Sequence, residues 1–222
     1  MARAAIFDLD GTLIDSMTDI GIACNAALRV HGKPDHPIEA YRAFVGEGVV
    51  HLLTRALHPQ PFDEAVLATY KLLYPKQMFA HTAPYPGIAE ALRELVASGM
   101  PLGVLSNKPH PPTAELVAHF FGDVPWRGAY GHRPEWPRKP DPTAALALCA
   151  ELGVPPDACA FVGDSAVDVA TGRNAGMAVV GVLWGFRPHE ARTADAVAHD
   201  AAQLPRLIRT ASAAGVQTTA NM

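Results

Sequence analysis

The sequence contains few cysteines, few aromatic residues and no long apolar stretch. Only three of its 222 residues are cysteine and 7% are aromatic. The cysteines are widely spaced and form no CxxC pair, which favours reduced thiols and a cytoplasmic setting. No segment approaches the roughly 20 consecutive apolar residues of a membrane span, and the residues before the first apolar run are too few for a secretion signal. We therefore expect a cytoplasmic protein without a membrane partner.

The chain also lacks a run of basic residues. It carries 18 Lys and Arg against 22 Asp and Glu, a net charge of −4 that is spread along the sequence. Without a basic cluster to neutralise a phosphate backbone, nucleic acid is not an expected partner. With 49% hydrophobic residues, the chain is long enough for one large core or for a core with an inserted lobe. Small charged metabolites remain as ligands, and monomer and homodimer are both compatible with this composition.

The first third of the sequence combines one strand with a series of helices. The apolar run at about 3–9 predicts a buried strand, and helical spacing follows in 15–32. The segment 37–57 predicts two helices with a hinge at Gly46-Glu47-Gly48, and 62–81 predicts another helix, bent near Pro75. This pattern indicates a helical lobe inserted after the first strand.

From residue 83 onward, helices and strands alternate at short intervals. Apolar runs predict four strands, in 100–106, 126–131, 157–163 and 177–183. Alternation of this kind is typical of a parallel sheet covered by helices on both faces. The sequence therefore predicts an α/β fold with a doubly wound parallel sheet. Residues 1–15 and 83–222 would form the core, and residues 16–82 the inserted helical lobe.

Ligands of such sheets bind beyond the carboxyl ends of the strands, so the loops that follow the strands are where functional residues are expected. The loops after Leu9, Leu105, Tyr130 and Val162 carry the sequences DLDGT, SNKP, PRKPDP and GDSAVDV. They contain two neighbouring aspartates, a hydroxyl beside an amide, a lysine and two further aspartates. Strand alternation would put the first two aspartates on the same face.

This set of side chains is typical of phosphoryl transfer. An anionic nucleophile approaches an anionic phosphate only if a metal and a cation cancel their repulsion, and oxygen ligands favour Mg²⁺. One carboxylate of the first pair would attack phosphorus and form an aspartyl-phosphate, and the other would donate and accept protons. Taken singly, each motif also has a structural interpretation. Ser106 could cap a helix, Lys139 could be a surface lysine, and Asp164 could cap a helix with Asp168 facing solvent.

The four motifs together resemble those of the haloacid dehalogenase-like phosphatases. The resemblance assigns Asp8, in FDLDGTLIDS, as the nucleophile and Asp10 as the acid/base residue, whose backbone carbonyl would also bind the metal. Ser106, in VLSNK, would hydrogen-bond the transferred phosphoryl group. Lys139, which directly precedes Pro140 as in the third motif of the family, would supply the cation, although Arg138 stands beside it.

The fourth motif, VGDSAVDV, completes the metal site that the resemblance implies. Asp164 would bind Mg²⁺ directly and Asp168 would act as an outer or water-mediated ligand, together with Asp8 and Asp10. The four-residue spacing suggests that both carboxylates share a helix face. The remaining residues expected at the substrate are Gly11, Thr12 and Asn107 beside the motifs and Gly46 and Glu47 in the helical lobe.

The lobe after the first motif resembles the helical cap found in one subgroup of this family. Segments such as FVGEGVVHLLTRAL and VGDSAVDVATGRNAG are most similar to phosphoglycolate phosphatases, which makes 2-phosphoglycolate the first substrate to consider. Its carboxylate would need a cation, for which His51, Arg55 and Lys108 are candidates. A phosphomutase, a pyrophosphatase and a nucleotide or sugar phosphatase share the same core residues and remain alternatives. A non-catalytic phospho-acceptor signalling module is an alternative of another class.

Overall fold

The computed structural model describes residues 1–211, and most of its strands form one sheet. In chain order the strands are β1 (Ala4–Phe7), β2 (Ile14–Asp15), β3 (Ala83–Pro84), β4 (Leu102–Pro109), β5 (Gly128–His132), β6 (Cys159–Gly163), β7 (Ala178–Val182) and β8 (Ala196–Ala198). Six of them form a parallel sheet in the order β5-β4-β1-β6-β7-β8. The strand order runs both ways from the central β1, so the predicted doubly wound parallel sheet is confirmed.

The helices lie along the chain as the sequence predicts, with some changes of extent. They are α1 (Met17–Val30), α2 (Val49–Leu57), α3 (Glu64–Gln77), α4 (Ile88–Ala97), α5 (His110–Phe121), α6 (Thr143–Leu152), α7 (Ala166–Asn174), α8 (Pro188–Ala191) and α9 (Leu204–Thr210). The four strands predicted after residue 83 are confirmed. Strands β6 and β7 are readable as apolar runs because they are buried along their whole length, as expected of a parallel sheet covered on both faces. In the described part of the chain, no helix is both long and apolar enough to cross a bilayer.

Three details differ from the sequence prediction. The first of the two helices predicted in 37–57 is a short 3-10 helix, Ile38–Ala43, because the glycines that follow prevent its continuation. The helix predicted in 62–81 is shorter at both ends, running from Glu64 through Pro75 to Gln77; the bend near Pro75 stays a prediction. Strand β8 has no counterpart in the prediction, because a strand of three residues at a sheet edge, two of them partly buried and one buried, shows no readable pattern.

The inserted helices join the sheet through a short antiparallel pair. β2 pairs with β3, with Ile14 opposite Pro84 and Asp15 opposite Ala83. The chain thus enters the helical segment and leaves it at the same place, and α1 packs mainly on α3. The predicted boundaries of the helical lobe, near residues 15 and 83, fall at this pair.

Asp19 connects the start of the helical segment to its end. Its carboxylate is fully buried and accepts hydrogen bonds from the side chain of Gln77 (3.0 Å), the backbone of His81 (2.9 Å), and the backbone and hydroxyl of Thr82 (both 2.8 Å). Burial opposes the charge, but these hydrogen bonds hold the pKa of Asp19 below its usual value. Asp19 therefore ties α1 to the residues just before β3.

We expect Asp19→Ala to destabilise the protein strongly, because it leaves several buried donors without an acceptor. The free energy of unfolding should fall by about 3 kcal/mol in urea titrations. Asp35→Ala is the matched control: this exposed carboxylate pairs with Arg29, and its loss should change stability by less than about 1 kcal/mol. Equal effects of the two substitutions would contradict the role given to Asp19.

Candidate active site

One cavity opens at the carboxyl edge of the sheet, where the loops after β1, β4, β5 and β6 meet. Its volume is about 360 Å³, enough for a small ligand. The core side contributes the predicted residues Asp8, Asp10, Ser106, Asn107, Lys108, Lys139, Asp164 and Asp168. The helical segment forms the other side. The residues of all four predicted motifs thus meet in a single cavity.

Lys139 is the centre of the charged groups in this cavity. Its ammonium donates to Oδ1 of Asp8 and to Oδ1 of Asp168, both at 2.7 Å, and all three side chains are buried. Burial opposes the charged form of Lys139, but Asp168 and Asp8 raise its pKa above the usual value. Of the two adjacent cations, Lys139 therefore reaches the carboxylates, whereas Arg138 lies against Gly48 of the helical segment.

Three buried carboxylates lie close enough to share a cation. Carboxylate oxygens of Asp8, Asp164 and Asp168 lie within 4.8 Å of one another. Burial raises the pKa of Asp8 to about 7, and repulsion from Asp168 and Asp10 adds to this increase. The neighbouring ammonium of Lys139 acts in the opposite direction and lowers this pKa. Burial and repulsion from Asp168 and Asp8 also raise the pKa of Asp164. One ammonium leaves excess negative charge here, so these hard oxygen donors fit a divalent cation.

Asp168 is held in place by the start of α7. Its Oδ2 accepts hydrogen bonds from the backbone N–H (3.1 Å) and the hydroxyl (2.6 Å) of Ser165, which leaves Oδ1 for Lys139. The N-cap residue of α7 is therefore Ser165, not Asp164. The structural alternative, with Asp164 as helix cap and Asp168 facing solvent, is wrong. The shared helix face is wrong too, because Asp164 precedes α7.

Asp10 faces a different cation from Asp8. The ammonium of Lys108 donates to both carboxylate oxygens of Asp10 at 2.9 Å, and the hydroxyl of Ser16 donates to Oδ1 at 2.5 Å. Strand β1 ends at Phe7, so the two aspartates follow the strand rather than alternate within it. Both nevertheless line the cavity, with their carboxylates in separate ion pairs.

The glycines around Asp164 are needed because the backbone passes close to its side chain. A Cβ atom at Gly11 would lie 2.4 Å from Oδ2 of Asp164, and Gly11 also has φ of 90°, which favours glycine. Neither Gly11 nor Thr12 lines the cavity, and the buried hydroxyl of Thr12 has no hydrogen-bond partner within residues 1–211. Their expected contact with substrate stays a prediction.

The residues in the last part of β4 divide between the cavity and its walls. Ser106 lines the cavity, and its hydroxyl accepts a hydrogen bond from the backbone N–H of Lys108 at 3.2 Å. The amide of Asn107 donates to the backbone carbonyls of Gly46 (3.1 Å) and Lys139 (3.0 Å) and accepts from the N–H of Lys139 (2.8 Å). Asn107 thus joins the helical segment to the loop that carries Lys139.

The helical segment reaches the cavity with its backbone glycines rather than with Glu47. Gly46 and Gly48 line the cavity, but Glu47 does not, and its carboxylate pairs with Arg55. His51 faces Glu47 at 3.8 Å. Of the three cations considered for a substrate carboxylate, Lys108 alone lines the cavity; His51 and Arg55 do not.

The loop after β7 contributes residues that the sequence analysis did not assign to the site. The backbone N–H of Phe186 donates to Oδ2 of Asp164 at 2.6 Å, and the guanidinium of Arg187 donates to the carbonyls of Ala43 (3.2 Å) and Val45 (2.6 Å). This loop connects Asp164 to the helical segment. The rule that ligands bind at carboxyl ends of strands applies to β7 as well and could have pointed to it.

Buried carboxylates make a specific prediction for the metal-free protein. Because the pKa of Asp8 is raised to about 7, folded protein retains a proton that unfolded protein has lost. With a chelator present, the free energy of unfolding should therefore fall between about pH 4 and about pH 8, by on the order of 4 kcal/mol for Asp8 alone. Denaturant titrations at a series of pH values measure this free energy of unfolding. Asp8→Asn should remove much of this slope; stability that rises over this range would contradict the prediction.

Gly185→Ala should displace Asp164. A Cβ atom at Gly185 would lie 2.3 Å from Cβ of Asp164 and 2.3 Å from the carbonyl oxygen of Gly11, too close for the present arrangement. We expect a loss of stability of about 2 kcal/mol together with a loss of divalent-cation binding, measured by thermal melts with and without the cation. The control is Gly32→Ala, which meets open space but has φ of 64°. It should cost about 1 kcal/mol and leave cation binding intact.

Comparison with known proteins identifies the family. Residues 2–176 match the family model described as haloacid dehalogenase-like hydrolase. The chain is 34% identical over 195 residues to the phosphoglycolate phosphatase of Psychrobacter arcticus, covering 82% of this chain and 83% of that protein. It is 33% identical over 224 residues to the phosphoglycolate phosphatase of Chromobacterium violaceum, covering 93% and 96%.

A solved structure agrees with these relatives. The crystal structure of a candidate phosphoglycolate phosphatase from Lactobacillus delbrueckii subsp. bulgaricus superposes with a TM-score of 0.86 at 32% identity, covering 93% of this chain and 98% of that one. The family model spans most of the chain, and the four motifs meet in one cavity. The chain belongs to the haloacid dehalogenase-like hydrolase family.

Proposed function

We propose that this protein is a magnesium-dependent phosphatase that hydrolyses a small phosphorylated acid, with 2-phosphoglycolate as the first candidate. The observation that carries the proposal is the cluster of three buried carboxylates, Asp8, Asp164 and Asp168, two of which (Asp8 and Asp168) bind the ammonium of Lys139. A carboxylate so placed can approach an anionic phosphate because cations offset the repulsion.

The residues divide the reaction into two displacements. In the first, an oxygen of Asp8 attacks phosphorus, the bond from phosphorus to the ester oxygen breaks, and Asp10 protonates the departing oxygen. In the second, Asp10 takes a proton from water, the water oxygen attacks phosphorus, and Asp8 leaves as a free carboxylate with release of inorganic phosphate. Lys139 holds Asp8 in position, and the hydroxyl of Ser106 donates to a phosphoryl oxygen. Asp10 gives one proton to the ester oxygen and takes one from water, so it returns to its starting protonation state after one turnover.

The acidic residues also supply the ligands for Mg²⁺. Asp8 and Asp164 would hold it with their carboxylates and Asp10 with its backbone carbonyl. Asp168 would act as an outer or water-mediated ligand, because its two oxygens accept hydrogen bonds from Lys139 and Ser165. When bound, the ion neutralises charge on the phosphoryl oxygens. Burial, with added repulsion from neighbouring carboxylates, raises the pKa values of Asp8 and Asp164; a divalent cation would offset both effects, which supports this assignment.

We further propose that residues 16–82 act as a cap over the site, as one domain inserted between residues 1–15 and the part of the core that begins at residue 83. Residues 212–222 of the predicted core lie outside the described residues. The residues that line the cavity from this segment are mainly apolar: Ile20, Val45, Val49, Leu52, Tyr70, Tyr74 and Pro75. Apart from the hydroxyls of Tyr70 and Tyr74, of which that of Tyr74 has no hydrogen-bond partner within residues 1–211, such a wall offers few partners for the hydroxyl groups of a sugar. It therefore favours a short phosphorylated acid over sugar phosphates, in agreement with the names of the relatives.

The alternatives share the catalytic core and differ in what the cap accepts. A phosphomutase, a pyrophosphatase or a nucleotide phosphatase would use the same aspartates. A phospho-acceptor signalling module would need neither Asp10, with its own buried ion pair to Lys108, nor an enclosing helical wall. The proposal includes a cytoplasmic location, supported by three buried free cysteines.

The first test is phosphate release from a panel of substrates, with and without Mg²⁺. The panel contains 2-phosphoglycolate, sugar phosphates, nucleotides and pyrophosphate. We expect the highest kcat/KM for 2-phosphoglycolate and no release in the presence of a chelator. High activity on sugar phosphates or pyrophosphate instead would overturn the substrate assignment and leave the phosphatase chemistry intact.

Asp8→Asn should lower phosphate release by more than about 10³-fold, because the amide cannot form the aspartyl-phosphate. Asp157→Asn is the matched control: this exposed aspartate precedes β6, at the opposite edge of the sheet, and its replacement should leave activity unchanged. Circular dichroism checks that both variants fold. Substantial turnover by Asp8→Asn would exclude Asp8 as the nucleophile.

A further inference from the structure

Lys108 is a buried cation that has no role in the hydrolysis mechanism proposed above. It lies at the end of β4, lines the cavity and is almost fully enclosed. Its ammonium contacts Asp10 of the core and also lies 4.7 Å from the centre of the Tyr74 ring in α3. It therefore lies where the proposed acid/base residue meets the helical wall.

The ammonium has bonding capacity that the protein does not use. A lysine ammonium carries three N–H groups, and the two hydrogen bonds to Asp10 use two of them. Within residues 1–211 it has no other hydrogen-bond acceptor, and Tyr74 offers only the face of its ring. A buried donor of this kind gains from an anionic acceptor that enters the cavity.

The other cations of the cavity are less suited to this position. The guanidinium of Arg187 already donates to backbone carbonyls of the helical segment and lies 3.5 Å from Glu190. Lys139 bridges Asp8 and Asp168. Lys71 lines the cavity but is exposed to solvent. Lys108 is thus the enclosed cation that can bind a second acidic group without giving up a carboxylate at the metal site.

We propose that Lys108 determines specificity by binding the carboxylate of the substrate. The proposal rests on the proposed function, in which Asp10 protonates the ester oxygen. In a phosphorylated 2-hydroxy acid, the carboxylate carbon is only two bonds from that oxygen, so a cation that touches Asp10 lies within reach of the carboxylate. The substrate class is therefore phosphate esters of short 2-hydroxy acids, and an ester with a neutral carbon skeleton loses this contact.

The test compares 2-phosphoglycolate with ethyl phosphate, in which a methyl group replaces the carboxylate. For each variant we form the ratio of kcat/KM for the two substrates, which cancels differences in the fraction of folded enzyme and any effect of Lys108 on Asp10. Lys108→Met should lower this ratio by about 30-fold or more, because a buried charge loses its partner. Lys108→Arg should retain most of it. Lys76→Met, an exposed lysine of α3 outside the cavity, is the control with no change.

Equilibrium binding gives a second readout that does not depend on turnover. In an Asp8→Asn background, calorimetry with 2-phosphoglycolate and ethyl phosphate should show the same loss of preference on Lys108→Met. A ratio that stays within threefold of the wild type would overturn the proposal and leave Lys108 as a residue that only positions Asp10. Failure of the proposed function looks different, because the unaltered enzyme would then release no phosphate from 2-phosphoglycolate.

Discussion

The site depends on one ammonium group among buried carboxylates. Lys139 contacts Asp8 and Asp168 at 2.7 Å, and without it these two carboxylates and Asp164 would share a low-dielectric space with no protein cation in contact. Burying these charges costs the folded chain free energy, and in the proposed function their role is to stabilise a phosphoryl group in transfer. The pKa values of Asp8 and Asp164 are raised because burial and neighbouring carboxylates oppose the ionisation of these two groups.

The central position of β1 explains how distant segments reach this ammonium. β1 pairs with β4 on one side and β6 on the other, so the loops after all three strands open at the same edge. Asn107 then fixes the loop that carries Lys139, through hydrogen bonds to its backbone in both directions. Backbone contacts around Gly11 and Gly163 leave Asp164 and Asp168 little room to move. The carboxylates are thus held in place before substrate arrives.

Charged and polar side chains hold the helical segment together and link it to the core. Within the segment, Asp19 ties α1 to the residues just before β3. From the core, Arg187 holds the backbone near Val45, and Asn107 holds Gly46. Lys108 touches both sides of the cavity. These contacts place an apolar wall opposite the acidic edge of the sheet. A phosphate bound in the cavity would therefore have polar protein groups mainly on the side of the sheet.

The fold class and the four motifs that meet in the cavity are readable from the amino-acid sequence. Strands of a buried parallel sheet are apolar runs, and Asp8, Ser106, Lys139 and Asp164 stand at or after the ends of such runs, so local patterns show both. Which charged groups pair with one another depends on the tertiary structure. Lys139 meets Asp8 across 131 positions of the chain, Glu47 turns to Arg55 instead of the cavity, and the loop around Arg187 joins the site. Periodicity reports which face of an element is buried, whereas ion pairs depend on distances between elements, which no local pattern contains.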